Sequence, residues 1–332
     1  MRATVSGKAL KSVFVDIAGI LKRYDRAKVV GIETTKTTVT FTVDTGSCYV
    51  RTLDITPVAD AVNMSLTVVF SDLAYFIPTK EDVTLDIAEY YVQIITSKSD
   101  VLLQIGDSIV APYQPRKGKI VDLDYGILRK AVKLFTSTQD LQRAYSRDFA
   151  VSFYGDWALM RSPTVWIRTK AQGLRCVLSL EQMRSIVSFQ PSFVEESDRL
   201  EFHKEGALLS IPKILPAEGD NFDQHLKGMK LSSVLLMHNV VKDLMEMKRA
   251  MGVTWAEVSL HEVGFNLRMS KGGITLSRDY NKTGDSVYRF LYMLDIFIMV
   301  LNLLGEDTQI EIWTKEGMIC LKSMETSILL SA

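Results

Sequence analysis

Lys8-Ala9-Leu10-Lys11-Ser12-Val13-Phe14 opens a pattern of roughly 110 residues that occurs three times, a period far longer than that of short solenoid repeats. Each copy is expected to begin with an amphipathic helix, run through alternating strands, insert a second helix and close with more strands. The second copy opens at Leu123-Asp124-Tyr125-Gly126-Ile127-Leu128-Arg129-Lys130 and the third at Leu231-Ser232-Ser233-Val234-Leu235-Leu236-Met237. Second helices are expected at residues 70–76, 179–186 and 292–297. The copies share pattern rather than letters, which predicts a pseudo-symmetric object.

Working outward from the first copy, Leu10, Val13, Phe14, Ile17, Ile20 and Leu21 recur at helical spacing, so one face of that helix is apolar. Between the helices, β-branched and aromatic runs such as 39–43, 90–95, 164–168, 274–277 and 309–313 predict strands. Gly272-Gly273 predicts a hairpin turn. Pro, Gly and charged residues at 111–118 and 216–221 have linker character and divide the chain into thirds, 1–116, 117–220 and 221–332. The expected class is α+β, each third carrying two helices and antiparallel strands.

Composition narrows the function. The chain has 332 residues, 39 Lys plus Arg against 39 Asp plus Glu, and 47% hydrophobic residues, the profile of a soluble multidomain protein. The longest apolar stretch, 291–304, contains Asp295 and Asn302 and is too short to span a bilayer. No signal-peptide core opens the chain, and the scattered Cys48, Cys176 and Cys320 predict buried thiols in a reducing, cytoplasmic setting. His203, His225, His238 and His261 have no ligand spacing with one another or with cysteine, so neither a metal nor a cofactor is expected. Phosphate-loop, dinucleotide and nucleophile-elbow motifs are absent. The acidic pairs Asp122/Asp124 and Glu195/Glu196 are ascribed to helix starts or loops, so no catalytic residue is expected.

Charge within the helices is more informative than the neutral total. Lys8, Lys11, Lys22 and Arg23 lie on or just beyond the polar face of the first copy's opening helix. Arg129, Lys130 and Lys133 do so in the second, and Lys242, Lys248 and Arg249 in the third. Asp16, Asp243 and Glu246 dilute the bias. One basic helix face is ordinary solvation, but three equivalent faces biased alike predict a phosphate-facing surface.

Residues 288–332 carry a resemblance. Tyr292-Met293-Leu294-Asp295-Ile296-Phe297-Ile298-Met299-Val300-Leu301, followed by two strands and the terminal Ser327-Ile328-Leu329-Leu330-Ser331-Ala332, resembles the end of the bacterial DNA polymerase sliding clamps, the β-subunit processivity factors. Gln139-Asp140-Leu141-Gln142-Arg143 is similar to a stretch of the same family. The resemblance implies three tandem clamp domains and a head-to-tail homodimer closing a pseudo-sixfold ring around duplex DNA. It also implies an apolar groove between the second and third domains that takes short peptides of a polymerase and a clamp loader. By the same resemblance Tyr145, Ser162, Thr164, Val165, Trp166, Ile167, Ile328 and Leu330 line that groove, and Val101, Leu103 and Met245 form the dimer seam. Of Ser162 to Ile167 only Ile167 keeps the character of the family's stretch there, and the family implies a nucleoid-associated, non-enzymatic protein. The alternative reading is a clamp-like adaptor or inhibitor that binds replication proteins without encircling DNA.

Overall fold

The computed structural model describes residues 1–21, 29–59, 63–70, 74–106, 110–142, 148–218, 221–237, 239–304 and 309–331. The first third runs β1 (Arg2–Ser6), α1 (Gly7–Leu21), β2 (Val29–Thr34), β3 (Thr38–Asp44), β4 (Cys48–Asp54), β5 (Thr56–Ala59), β6 (Met64–Val69), β7 (Asp82–Ala88), β8 (Tyr91–Ile95) and β9 (Asp100–Leu103). The second has β10 (Lys119–Val121), α2 (Tyr125–Gln142), β11 (Ala150–Tyr154), β12 (Trp157–Arg161), β13 (Val165–Lys170), β14 (Arg175–Ser179), α3 (Leu180–Phe189), β15 (Phe193–Glu196), β16 (Arg199–Lys204) and β17 (Ala207–Pro212). The last comprises α4 (Phe222–Leu226), β18 (Lys230–Leu236), α5 (Val240–Met251), β19 (Trp255–Lys271), β20 (Ile274–Met293), α6 (Leu294–Leu304), β21 (Gln309–Lys315), β22 (Met318–Lys322) and β23 (Thr326–Ser331).

The threefold repeat is visible in this order. A first strand leads into a helix in each third (β1–α1, β10–α2, β18–α5), and a three-strand meander closes each (β7–β9, β15–β17, β21–β23). Three expectations need correction. Residues 231–236 are strand β18, not helix; the third's helix begins only at Val240. Residues 74–76 form a turn rather than part of a helix, while 71–73 lie outside the described residues. Glu195 and Glu196 are on strand β15, not in a loop or at a helix start.

The chain forms two compact units, Met1–Leu123 with Glu181–Lys213, and Asp124–Leu180 with Ile214–Ala332. The middle third therefore contributes to both. The first unit holds a five-stranded sheet, β5-β1-β7-β8-β9, and an eight-stranded one, β10-β15-β16-β17-β4-β3-β2-β6. The second unit holds a ten-stranded sheet, β14-β11-β12-β13-β23-β22-β21-β18-β19-β20.

Within the first unit the apolar stripe of α1 makes the core: Leu10, Val13, Phe14, Ile17 and Ile20 are all buried. Phe14 meets Phe41 edge-on at 6.3 Å and stacks on Phe70 at 5.9 Å. Gly7 starts this helix because a Cβ there would lie 2.3 Å from the Pro78 carbonyl oxygen. In the second unit Asp124 caps α2, its Oδ1 accepting the Ile127 N–H at 3.1 Å. Gly252, at φ 58°, ends α5 with its N–H on the Lys248 carbonyl at 2.7 Å. The expected turn between β19 and β20 is present, with Gly272 and Gly273 both at positive φ. Burial also fits the thiol expectation: Cys48, Cys176 and Cys320 are all free and buried. Among the described residues no helix is long and apolar enough to cross a membrane.

Candidate nucleic-acid and peptide interfaces

Helical spacing determines which cations face outward. On α1, Lys8 and Ser12 are exposed, Lys11 is half-buried, and Val15, 53% exposed, interrupts the polar face. Asp16 is engaged, accepting the Tyr49 hydroxyl at 2.9 Å. Lys22 and Arg23 lie outside the described residues. Helix α2 is the most strongly basic. Ile127, Leu128, Ala131, Leu134 and Phe135 turn inward, which leaves Arg129, Lys130 and Lys133 exposed together. On α5, Lys242 and Arg249 are exposed beside exposed Glu246. Lys248 is half-buried and ion-paired with Asp295 of α6, and Arg278 pairs with Asp243 at 2.7 Å. The expected phosphate-facing cations are thus strongest on α2 and most diluted on α5.

Strands β13 and β23 bring together the residues assigned to the groove. They pair antiparallel, with Val165 opposite Leu330 and Ile167 opposite Ile328. Those four side chains share one face by strand alternation and are at most 1% exposed, so they are core rather than an open wall. Ser162 is also buried; its hydroxyl donates to the Val165 carbonyl and accepts the Val165 N–H, each at 3.0 Å. Thr164 and Trp166 remain half-exposed. Tyr145 lies outside the described residues.

The opposite face of these strands carries a cluster of which the sequence reading assigned only Trp166 to a site. Trp166 meets His225 edge-on at 4.8 Å, and Tyr154 stacks on Trp157 at 4.0 Å. The Arg168 guanidinium lies 4.4 Å from the Trp157 ring and pairs with Asp223 at 2.9 Å. Leu159, Phe222, Met229 and Leu329 are buried beneath. Trp166 and Arg168, two apart on β13, and Trp157 and Arg161, four apart on β12, are the signal that marks this face.

The seam residues divide. Leu103 is a core residue beside Phe14, Ile17 and Phe41, so its side chain cannot meet a partner; on the same strand Leu102 is 68% exposed. Val101 is half-buried and Met245 is 43% exposed.

Strand pairing follows one rule at both internal joints. The last strand of the second third, β17, pairs antiparallel with β4 of the first, Ala207 opposite Arg51 through Ser210 opposite Cys48. The last strand of the final third, β23, pairs in the same way with β13 of the second. The first third's last strand, β9, is an edge of its sheet, and β20 of the final third is an edge of the ten-stranded sheet.

No protein-family model matches the chain, and no curated protein matches it by sequence. Solved structures match it by fold. A DNA polymerase III β subunit from Eubacterium rectale superposes with a TM-score of 0.76 at 13% identity, covering 100% of this chain and 98% of that one. The Helicobacter pylori β clamp bound to a DNA ligase peptide gives 0.73 at 13% identity, with 100% and 99% covered. The DNA polymerase III subunit β of Pseudomonas aeruginosa gives 0.74 at 10% identity, again with 100% and 99% covered. Full-length superposition at such low identity carries the fold alone: this chain has the fold of the bacterial DNA polymerase β clamps.

Proposed function

We propose that the protein is a sliding clamp, non-enzymatic and cytoplasmic, built from three domains at 1–116, 117–220 and 221–332. Two copies join head to tail and encircle duplex DNA without reading its sequence. The observation that carries this reading is the joint rule. Each internal joint pairs the last strand of one third with an outer strand of the preceding third, and the chain leaves one strand of each kind at a sheet edge. A second copy satisfies both edges, β9 of one against β20 of the other, and a heterologous contact of this kind closes into a ring.

The basic face of α2 supports phosphate contact, since Lys and Arg there neutralise backbone charge without base contacts. Topological retention also explains how a chain with no net charge serves DNA. Peptides of a polymerase and a clamp loader dock at the β13–β23 pair on the face of the half-exposed Thr164 and Trp166, while Val165, Ile167, Ile328 and Leu330, buried on the other face, brace the pair from behind. A clamp bound to a DNA ligase peptide is a neighbour in fold, which supports a peptide as the kind of partner.

Sedimentation velocity with small-angle scattering tests the ring. A species near twice 37.4 kDa with a hollow, flattened profile is the expected result. A monomer at all concentrations would overturn it and favour the adaptor reading. One observation leans toward that second reading: the cations of α5 are partly neutralised by Asp295 and Glu246.

A further inference from the structure

The antiparallel pair β15–β16 places Glu195 directly opposite Glu201. Like charges in that position repel, and Glu201 is only 1% exposed. Its Oε1 is satisfied, accepting the Tyr113 hydroxyl at 2.5 Å and the Arg116 N–H at 3.0 Å. Its Oε2 is buried with no hydrogen-bond partner. His203, two residues along on the same face, is stacked flat on Phe193 at 4.5 Å. The Nε2 of that ring is likewise buried and unpartnered. It lies 3.8 Å from Glu195 Oε2 and 4.0 Å from Glu201 Oε2, beyond hydrogen-bond reach of either. The three ligand atoms lie within 4.8 Å of one another.

We propose that Glu195, Glu201 and His203 form a binding site for a divalent transition-metal ion of the zinc class. Two carboxylate oxygens and one imidazole nitrogen are a borderline donor set, which favours zinc or cobalt over magnesium or calcium. Zinc at about 2.0–2.2 Å from each atom requires the three to close up by roughly half an ångström, with water completing the tetrahedron. The positive charge removes the carboxylate repulsion and gives Glu201 Oε2 and His203 Nε2 the partner they lack. Tyr113 and Arg116 hold the other oxygen of Glu201 and so fix its orientation. Because these two belong to the 111–118 linker, the ion fastens that linker to the sheet, a structural rather than a catalytic role.

The test is titration of chelator-stripped full-length protein with Zn2+ by calorimetry, and with Co2+ by visible absorption. One ion per chain with four-coordinate cobalt bands is expected, together with a higher melting temperature. His203→Gln weakens binding by at least about 100-fold and Glu195→Gln by about 10- to 100-fold. Glu195 is 26% exposed in its side chain, so its variant tests the site without emptying the core. Binding no tighter than about 100 μM overturns the proposal. So does tight binding that both variants leave unchanged, which would place the metal on another histidine.

Discussion

Replacing Arg129, Lys130 and Lys133 of α2 together by Ala removes the densest exposed positive charge on any of the three opening helices. If each cation neutralises one phosphate, a two-copy ring loses about six phosphate contacts, and the slope of log affinity against log salt flattens by about 5. Over the fourfold interval from 50 to 200 mM salt, that change alone alters relative affinity by on the order of 10^3. The helix itself survives, because Ala is the best helix former and none of the three side chains is buried. Fluorescence anisotropy on long duplex DNA across that salt range gives the slope, and circular dichroism checks the fold. A matched variant, Lys36, Lys80 and Lys98 to Ala, removes the same charge from exposed turns that are not part of any helix. Equal flattening in both variants would mean that only net charge matters and would refute the assignment of α2. Lys248→Ala should do less than any single α2 substitution, since Lys248 is held by Asp295.

Leu102→Glu puts a charge on the exposed edge of β9; if that edge becomes a seam, it costs about 2–3 kcal/mol per seam and is felt twice in a closed dimer, so sedimentation should show dissociation at micromolar concentration. Phe14→Ala empties the centre of the first unit and should destabilise it by about 3–5 kcal/mol in urea unfolding. Burial pushes the Cys320 thiol up from 9.0 to about 11. An acid whose folded pKa is raised holds its proton longer in the folded state, so its stabilising contribution is complete below pH 9 and lost as pH rises through about 11. Cys320→Ala should therefore reduce the alkaline drop in melting temperature across that window. In the native state at pH 8, all three thiols should resist a disulfide reagent that labels them at once in guanidinium.

Helical faces were legible because burial follows the 3.6-residue period, as Leu10, Val13, Phe14 and Ile17 show. The opening of the last third was not. Residues 231–237 form a short, mostly apolar run that period alone cannot assign to helix or strand. The parallel with β1 and β10, short strands that precede α1 and α2, is what identifies it. Partners distant in sequence were equally invisible: Lys248 is assigned to the phosphate face by its place on the wheel, while Asp295, 47 residues away, holds it back. The cluster of Glu195, Glu201 and His203 was hidden for a different reason. Treating 195–196 as a loop removes the register that puts Glu195 opposite Glu201. The Ser197–Asp198 turn, in which the Ser197 N–H donates to the Arg199 carbonyl at 2.9 Å, was the signal for it.

Sheet edges bear most directly on the assembly, because an unpaired edge strand is a template for unwanted association. The two edges expected to meet are protected differently. β9 spans only Asp100–Leu103 and offers a short template. β20 spans 20 residues and exposes Arg278, Asp279, Lys282, Asp285 and Arg289, a run of mixed charge that discourages pairing with an arbitrary strand. Its register against β19 is broken around Gly264, where φ is +74° and a Cβ would lie 2.0 Å from the Tyr280 carbonyl oxygen. Such a bulge sharpens the twist and divides the long ribbon into two shorter ladders. The segment on the turn side, from Ile274 to Tyr280, follows the glycine turn as β13 follows the turn at 162–164, so it is the part that corresponds to the joint strands β4 and β13. A seam confined to that segment is nearer the four-residue β9 in length than the 20-residue β20 is, and a charge reversal at Arg278 should weaken it more than one at Arg289.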